Sequence, residues 1–433
     1  MTKVTFAIFL MSFFSVAHAK TYLAVGKAQE KKVSVAFTSI RSQEAHTREA
    51  KSLEGSIRNN LRWVPGFRLL PDLPREPKKN TQTKEILDFS SWKALDTDFL
   101  IQSSLSLDLQ NNFMFEAHIY EIATKHEVLA KKYYGNYTQL KNLSHLFSDQ
   151  IMRSIMGLPG IFRTRIAMSC DRTGKKEIYM MNFDGTDVKQ ITHHRSVAFA
   201  PAWSRDNKRI AYSVFTRHAG NIKNIDLYEF DLKNNTQRVL SARKGINSGA
   251  AYAPDGKQMA LTLSYLGNPE IFLLDLFTRH VVRLTRSLGV DVDPSWSPDG
   301  SKLAFVSSRT GASMIFSTSS DGKKVQRLTF AGKYNATPCW SPQRNQIVFS
   351  GWSDNHFDIF TMDAEGTQIE RLTKNQGNNE DPVFSPDGNL IAFSSNRSGH
   401  KNIYIMDKNG TFVRRITYGL GNCVSPKWSF FTE

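Results

Sequence analysis

The chain has 433 residues, enough for one small domain plus a large repeat array. Its 40% hydrophobic and 22% charged content excludes disordered and collagen-like classes. The formal charge of +16 raises the question of nucleic acid, but the basic residues are spread along the chain, which fits a solvated surface or an acidic partner.

The first segment, "MTKVTFAIFLMSFFSVAHAK", has Lys3, an apolar run from Val4 to Val16 and small residues at Ala17 and Ala19. This pattern predicts a secretory signal peptide, residues 1–19, cleaved after Ala19. Export makes nucleic acid an unsuitable partner. No later run reaches the length of a spanning helix, so the mature chain is expected to be at most peripheral to a membrane.

Residues 20–157 read as a small α+β domain. "VSVAFTS" (33–39) predicts a strand. Ala50, Leu53, Ile57 and Leu61 share one face of a helix over 44–63. "DFSSWKAL" (88–95) suggests a short helix. Two alternating runs, 98–109 and 113–122, predict a hairpin, with a further strand at 127–136. Leu140, Leu143, Phe147, Ile151 and Ile155 stripe a helix over 139–157. Gly157-Leu158-Pro159-Gly160 reads as a linker.

Beyond it, from residue 161 to 433, the chain repeats. "PSWSPDGSKLAFVSSRTG" (294–311) returns as "PVFSPDGNLIAFSSNRSG" (382–399). The aligned aromatics are Trp203, Tyr252, Trp296, Trp340, Phe384 and Trp428, at steps of 49, 44, 44, 44 and 44 residues. The five extra residues of the long step are expected in a loop around 217–224. Each unit reads as four short strands, and that period predicts a six-bladed β-propeller with WD40-like (PD40) repeats. The first unit lacks its first strand, and "SPKWSFFTE" (425–433) supplies one with nothing after it. The C-terminal strand is therefore expected to close the ring. Transferring the register of the 384–390 turn to this seam sets Cys423 opposite Cys170. A disulfide there would lock the closing strand; two free thiols are the alternative.

Ser-Pro-Asp-Gly is turn chemistry, so Asp255, Asp299 and Asp387 read as turn formers, not catalysts. The residues before each first strand vary more and are expected to ring one mouth of the central channel. Three before the aromatic stand Ala200, Gly249, Asp293, Thr337, Asp381 and Ser425. Five before stand Ala198, Asn247, Asp291, Asn335, Asn379 and Cys423. Of these, Asn247, Gly249, Asp291, Asp293, Asn335, Thr337, Asn379, Asp381 and Ser425 are the candidate partner-binding residues; strand-end hydrogen bonding is the competing role. Enzyme signatures are absent: no Gly-x-Ser-x-Gly, no His-Glu-x-x-His and no phosphate loop. His193-His194 reads as solvent loop. No cofactor or metal is expected.

Taken in order, the signal peptide, the small domain with "SSWKAL", the junction "GLPGIFRTRIA", the P-x-W-S-P-D-G units and the terminal "SPKWS" resemble the TolB family of the bacterial Tol–Pal envelope system. The resemblance implies a monomeric, non-enzymatic periplasmic adaptor that supports outer-membrane integrity and constriction during division. Its channel mouth would bind a Pal-like outer-membrane lipoprotein. Its N-terminal segment, here Lys20–Glu30 and in particular Lys20, Thr21, Tyr22 and Leu23, would engage a TolA-like inner-membrane protein. This segment has no acid before Glu30, unlike the family's usual start. The competing classes are an envelope propeller enzyme with a channel metal and a polysaccharide-binding propeller.

Overall fold

The computed structural model describes residues 32–71 and 88–432. The expected signal peptide and the segment Lys20–Glu30, with Lys20, Thr21, Tyr22 and Leu23, lie outside the described residues.

The N-terminal unit runs β1 (Val33–Phe37), β2 (Arg41–Ser42), α1 (Thr47–Leu61), β3 (Phe67–Leu69), α2 (Phe89–Ala94), β4 (Phe99–Leu107), β5 (Phe113–Glu121), β6 (His126–Gly135) and α3 (Leu140–Met156). The sheet order is β3-β1-β4-β5-β6, with β2 beside β4. β1 is parallel to both neighbours, while β4, β5 and β6 are antiparallel. Ala50, Leu53, Ile57 and Leu61 are buried on α1, and Leu140, Leu143, Phe147 and Ile151 on α3. Both helices thus press the striped face expected of them onto the core. The short strands β2 and β3 escape sequence reading because two or three residues carry no period.

Gly157 ends α3 in the left-handed conformation that favours glycine. The next residues are not a free tether. Asp149 on α3 accepts hydrogen bonds from Phe162 N (2.9 Å) and Arg163 Nε (2.7 Å), and Ile161 and Phe162 are buried. A side chain at Gly160 would collide with Asp149. The linker expectation is corrected accordingly: the junction is packed.

Six four-stranded antiparallel sheets follow. The sixth combines β7 (Arg165–Cys170), β8 (Glu177–Asn182) and β9 (Lys189–Gln190) with the C-terminal strand Cys423–Trp428. The first comprises β10 (Ala198–Trp203), β11 (Arg209–His218), β12 (Ile222–Asp231) and β13 (Thr236–Ser241). The innermost strands of the second to fifth are Asn247–Tyr252, Asp291–Trp296, Asn335–Trp340 and Asn379–Phe384. At the seam Cys423 pairs with Cys170, and a disulfide joins them across 253 residues of sequence.

The five extra residues of the long unit form no loop. β11 and β12 pair without interruption out to His218 and Ile222, so the insertion lengthens a hairpin. The fourth strand of the third sheet is only Val325–Arg327. There the chain leaves the ladder because Leu328 turns into the core and Thr329 Oγ1 accepts from Ile315 N at 2.9 Å.

The repeated words acquire physical roles. Asp299 Oδ1 accepts from Ser297 Oγ (2.6 Å) and Ser301 N (3.0 Å), closing the turn around Gly300 at φ 72°. The indoles reach the neighbouring blade: Trp296 Nε1 donates to Ala251 O and Trp203 Nε1 to Lys427 O, both at 3.0 Å.

Strand alternation gives the ring two faces. One carries the Ser-Pro-Asp-Gly turns and the connections between third and fourth strands. The other carries the second-to-third hairpins and the entries into the innermost strands. The N-terminal unit sits on the turn face: Trp63 meets Phe183 and Phe412 edge-on at 5.9 and 5.8 Å, and the Arg414 guanidinium lies 4.4 Å from its ring. One apolar cluster joins the N-terminal unit, through Val35 and Trp63, to the fifth and sixth blades, through Ile405, Phe183 and Trp428.

Candidate functional site

The channel mouth is built from the innermost strands. Every one of them breaks its ladder at the same place, between Phe199 and Ala202, Ser248 and Ala251, Val292 and Ser295, Ala336 and Cys339, Glu380 and Val383, and Val424 and Lys427. The residue responsible is the one three before the aromatic. Ala200, Gly249, Asp293, Thr337, Asp381 and Ser425 all have positive φ, between 48° and 60°. Five of the six are not glycine, and a left-handed backbone costs such residues about 1–2 kcal/mol each. Bulges of this kind re-aim side chains near functional sites.

These residues lie within strands, so the expectation that they sit in loops is corrected. Their side chains are half-buried around the axis. Asp381 Oδ2 accepts from Ser425 N (3.0 Å) and Ser425 Oγ (3.2 Å), and Asp381 N donates to Ser350 Oγ (3.2 Å). Ser350 Oγ in turn lies 2.9 Å from Thr337 Oγ1. Three consecutive blades are thereby joined through their bulges. Burial pushes the Asp293 carboxyl above the usual range; Lys427 pulls it back and Asp381 adds to the rise. Two carboxylates and one ammonium therefore share the channel.

The positions five before the aromatic do not face the mouth. Asn247, Asp291 and Asn379 are fully buried, and Asn335 nearly so. Asn247 donates to Ile225 O (2.8 Å) and accepts from Ser241 Oγ (2.6 Å). Asp291 accepts from Ser307 Oγ (2.6 Å) and Arg309 Nη2 (2.8 Å), and burial raises its pKa against both. Asn379 donates to Asp358 Oδ1 at 3.1 Å, and Asn335 Nδ2 lies 3.0 Å from Ala331 O. Asn247 and Asn379 latch one blade to the next, Asn335 Nδ2 reaches back to Met314 of the preceding blade, and Asp291 is held within its own blade.

The repeated Thr at the end of each unit belongs to the same device. Thr285 Oγ1 accepts from Ile271 N (3.0 Å) and donates to Glu270 Oε2 (2.6 Å); Thr373 does the same with Ile359 N and Asp358. Despite burial, bonds from Thr285, Ser287 N and Arg283 hold Glu270 below its ordinary pKa. Of the histidine pair, His193 is exposed, but His194 is half-buried between Tyr212 and Tyr228, and burial lowers its pKa.

What the mouth face offers to solvent was not singled out by sequence. The entries into the innermost strands expose Leu288, Phe330 and Tyr418, and the hairpin ends expose Phe215 and Leu266. Phe330 and Tyr418 hold the same place in the repeat, directly after Thr329 and Thr417, but the other units carry His193, Ala242, Arg286 and Lys374 there, so the repeat does not single them out. Among the described residues no three His, Cys, Asp or Glu side chains converge as metal ligands would.

The class so defined is a closed six-bladed β-propeller with a small α/β unit seated on one face and an exposed, apolar-studded mouth on the other. The model of the TolB beta propeller domain matches residues 152–357 and 335–432, and that of the TolB amino-terminal domain matches 21–128. The chain belongs to the TolB family. It is 34% identical over 253 residues to the Tol-Pal system protein TolB of Desulfosudis oleivorans, covering 58% of this chain and 56% of that protein. It is 34% identical over 275 residues to a TolB homolog of Chlorobium chlorochromatii, covering 61% and 59%. The match thus spans little more than half the length of either relative. The crystal structure of TolB from Acinetobacter baumannii has the same fold, with a TM-score of 0.78 at 24% identity over 93% of this chain and 98% of that one.

Proposed function

We propose that this protein is a non-enzymatic periplasmic adaptor of the Tol–Pal system. Its channel mouth binds a Pal-like outer-membrane lipoprotein, and its N-terminal segment Lys20–Glu30 decides whether a TolA-like inner-membrane partner binds as well. The role that follows is support of outer-membrane integrity and of constriction during division. The observation that carries this reading is the exposed mouth: Leu288, Phe330 and Tyr418 are 106%, 71% and 67% exposed while the opposite face is occupied by the N-terminal unit. Scattered single apolar residues need no explanation, but several around one rim mark an interaction surface.

The test is calorimetric titration of the full chain with the soluble domain of the Pal-like lipoprotein from the same source. Leu288→Asp with Phe330→Asp is expected to weaken binding at least roughly tenfold, because charge at an interface core is strongly disfavoured. The thermal midpoint should stay unchanged, since both side chains are exposed. Undiminished binding by this variant would refute the mouth as the site. Retention on peptidoglycan without the lipoprotein would favour the polysaccharide reading, and a stoichiometric channel metal in purified protein would favour the enzyme reading. Truncating Lys20–Glu30 is expected to change lipoprotein affinity or abolish the second contact, because a ligand shifts an equilibrium only through its differential affinity for two states.

A further inference from the structure

The lengthened hairpin of the first blade has no counterpart in the others. The step from Trp203 to Tyr252 is 49 residues where the rest are 44, and the surplus extends β11 and β12 beyond the start of β10. The hairpins of the third, fourth and fifth blades also pair past their innermost strands, but only as far as Thr310, Ser353 and Ser398, and none of them carries the five-residue surplus. Beneath the extension lies a cavity of about 670 Å³, bounded by Phe215, Ile225 and Ile246 as apolar walls and by Arg217 and Lys223 at its edge. Its size is that of a pocket for one or two side chains or a small ligand.

The register makes the charge arrangement unusual. Phe215 stands directly opposite Ile225, and Arg217 directly opposite Lys223. Residues two apart share a side of the ladder, so all four project together. Like charges placed directly opposite destabilise a strand pair. Nothing nearby offsets them. The cavity lining contains no Asp or Glu, and Lys223 forms no ion pair among the described residues. Arg217 Nη1 donates to Asn221 Oδ1, a neutral group, at 2.5 Å. The carboxylate on this hairpin, Asp226, is buried and already held by His218 Nε2 (2.9 Å), Thr216 Oγ1 (2.8 Å) and Asn224 Nδ2 (2.6 Å). A local rule broken without compensation inside the chain points to compensation from outside it.

We infer that this hairpin is a docking site for an acidic peptide segment carrying one projecting apolar or aromatic side chain. The side chain enters between Phe215, Ile225 and Ile246. A flanking carboxylate lies between Arg217 and Lys223 and relieves their repulsion. The net charge of +16 adds long-range attraction for such a segment. An anionic membrane would satisfy the charges and meet the exposed Phe215 and Ile222, but it would leave the concavity lined by Ile225 and Ile246 unfilled, which a single projecting side chain fills. The inference stands independently of which protein binds the channel mouth.

The experiment uses the full chain and a fluorescein-labelled peptide, Gly-Asp-Glu-Phe-Glu-Asp-Gly, followed by fluorescence anisotropy. Saturable binding is expected, weakening as salt rises above physiological strength. R217E with K223E is expected to cost at least roughly tenfold in affinity, and F215A severalfold, by loss of charge complementarity and of packing respectively. Both variants alter exposed side chains at a hairpin tip, and unchanged thermal midpoints confirm that they fold. A peptide with Ala in place of Phe, and one with Lys in place of every acid, are both expected to bind worse. Equal binding of the Lys peptide, unaltered affinity of the double charge variant, or no saturation at millimolar peptide would overturn the inference. So would co-sedimentation with phosphatidylglycerol vesicles that depends on Arg217 and Lys223 while the peptide fails to bind, which would assign the surface to a membrane.

Discussion

The two faces of the propeller are made from the same strands and obey different rules. On the turn face the third and fifth blades repeat the same words, because the chain must reverse in the same space each time. Asp299 there is held well below its ordinary pKa, at about 2, by hydrogen bonds from Ser297 and Ser301. On the mouth face the bulge positions are Ala200, Gly249, Asp293, Thr337, Asp381 and Ser425, which share a backbone conformation but not a side-chain type. Where geometry alone is required, the sequence repeats. Where something besides geometry is required, the backbone repeats and the side chains diverge.

The largest effect with which to break this contrast is at the seam. The turn-face logic treats the sixth blade as equal to the rest, yet its innermost strand arrives from the other end of the chain. The Cys170–Cys423 bond closes a loop of 253 residues, so its removal should release far more unfolded-chain entropy than removal of any local contact. Cys170→Ser with Cys423→Ser is expected to lower stability by about 3–5 kcal/mol. The measurement is the urea midpoint with and without reductant: wild type should fall toward the variant when reduced, and the variant should not respond. A wild-type midpoint indifferent to reductant would mean that strand pairing alone holds the ring.

Next comes the aromatic of the repeat. Trp296→Ala should destabilise by about 3 kcal/mol, since a large side chain is lost and its bond to Ala251 O goes with it. The same measurement on Leu288→Ala should show less than about 0.5 kcal/mol, as befits an exposed residue. Comparable losses at both would erase the distinction between the faces.

Much of this architecture is legible in residue spacing. The 44-residue period, the turn chemistry and the unpaired ends of the array specify six blades and their closure, and the register of one blade carries Cys423 to Cys170. Such features can be read because each depends on residue type at fixed spacing. The bulges are not legible as bulges, because Ala, Gly, Asp, Thr and Ser have no common preference for positive φ; the strain is imposed by six strands converging on one axis. Asn247, Asp291, Asn335 and Asn379 mislead for a related reason. Variable polar residues at a strand start look like loop residues; the folded ring brings Asn247 to Ile225 O and Asn379 to Asp358, while Asp291 turns to Arg309 of its own blade and Asn335 to the nearby Ala331 O. The long hairpin misleads because its five extra residues, with Gly220 and Asn221 nearby, resemble a loop although their flanks pair.

A further small effect has the opposite sign and bears on the mouth most directly. Burial raises the folded-state pKa of Asp293 above its ordinary value of 3.8. A carboxyl of this kind binds its proton more tightly folded than unfolded. Its contribution is therefore most favourable at acid pH and is lost as pH rises from the unfolded pKa through the folded one. Asp293→Asn keeps the shape and removes the charge, so it should stabilise the protein at pH 7 by about 0.5–1 kcal/mol, within the range usual for relieved functional sites. The gain should shrink toward zero near pH 3, where the native carboxyl is itself protonated. Asp299→Asn on the turn face should show the reverse pattern. Its depressed pKa stabilises the fold above pH 4, and that support is lost as pH falls toward 2, so the substitution should be slightly harmful at pH 7 and neutral at the acid end. Urea midpoints across this pH range separate the two. If both substitutions moved stability in the same direction at pH 7, the Asp293 carboxylate would be a structural group like Asp299, with no strain held at the mouth.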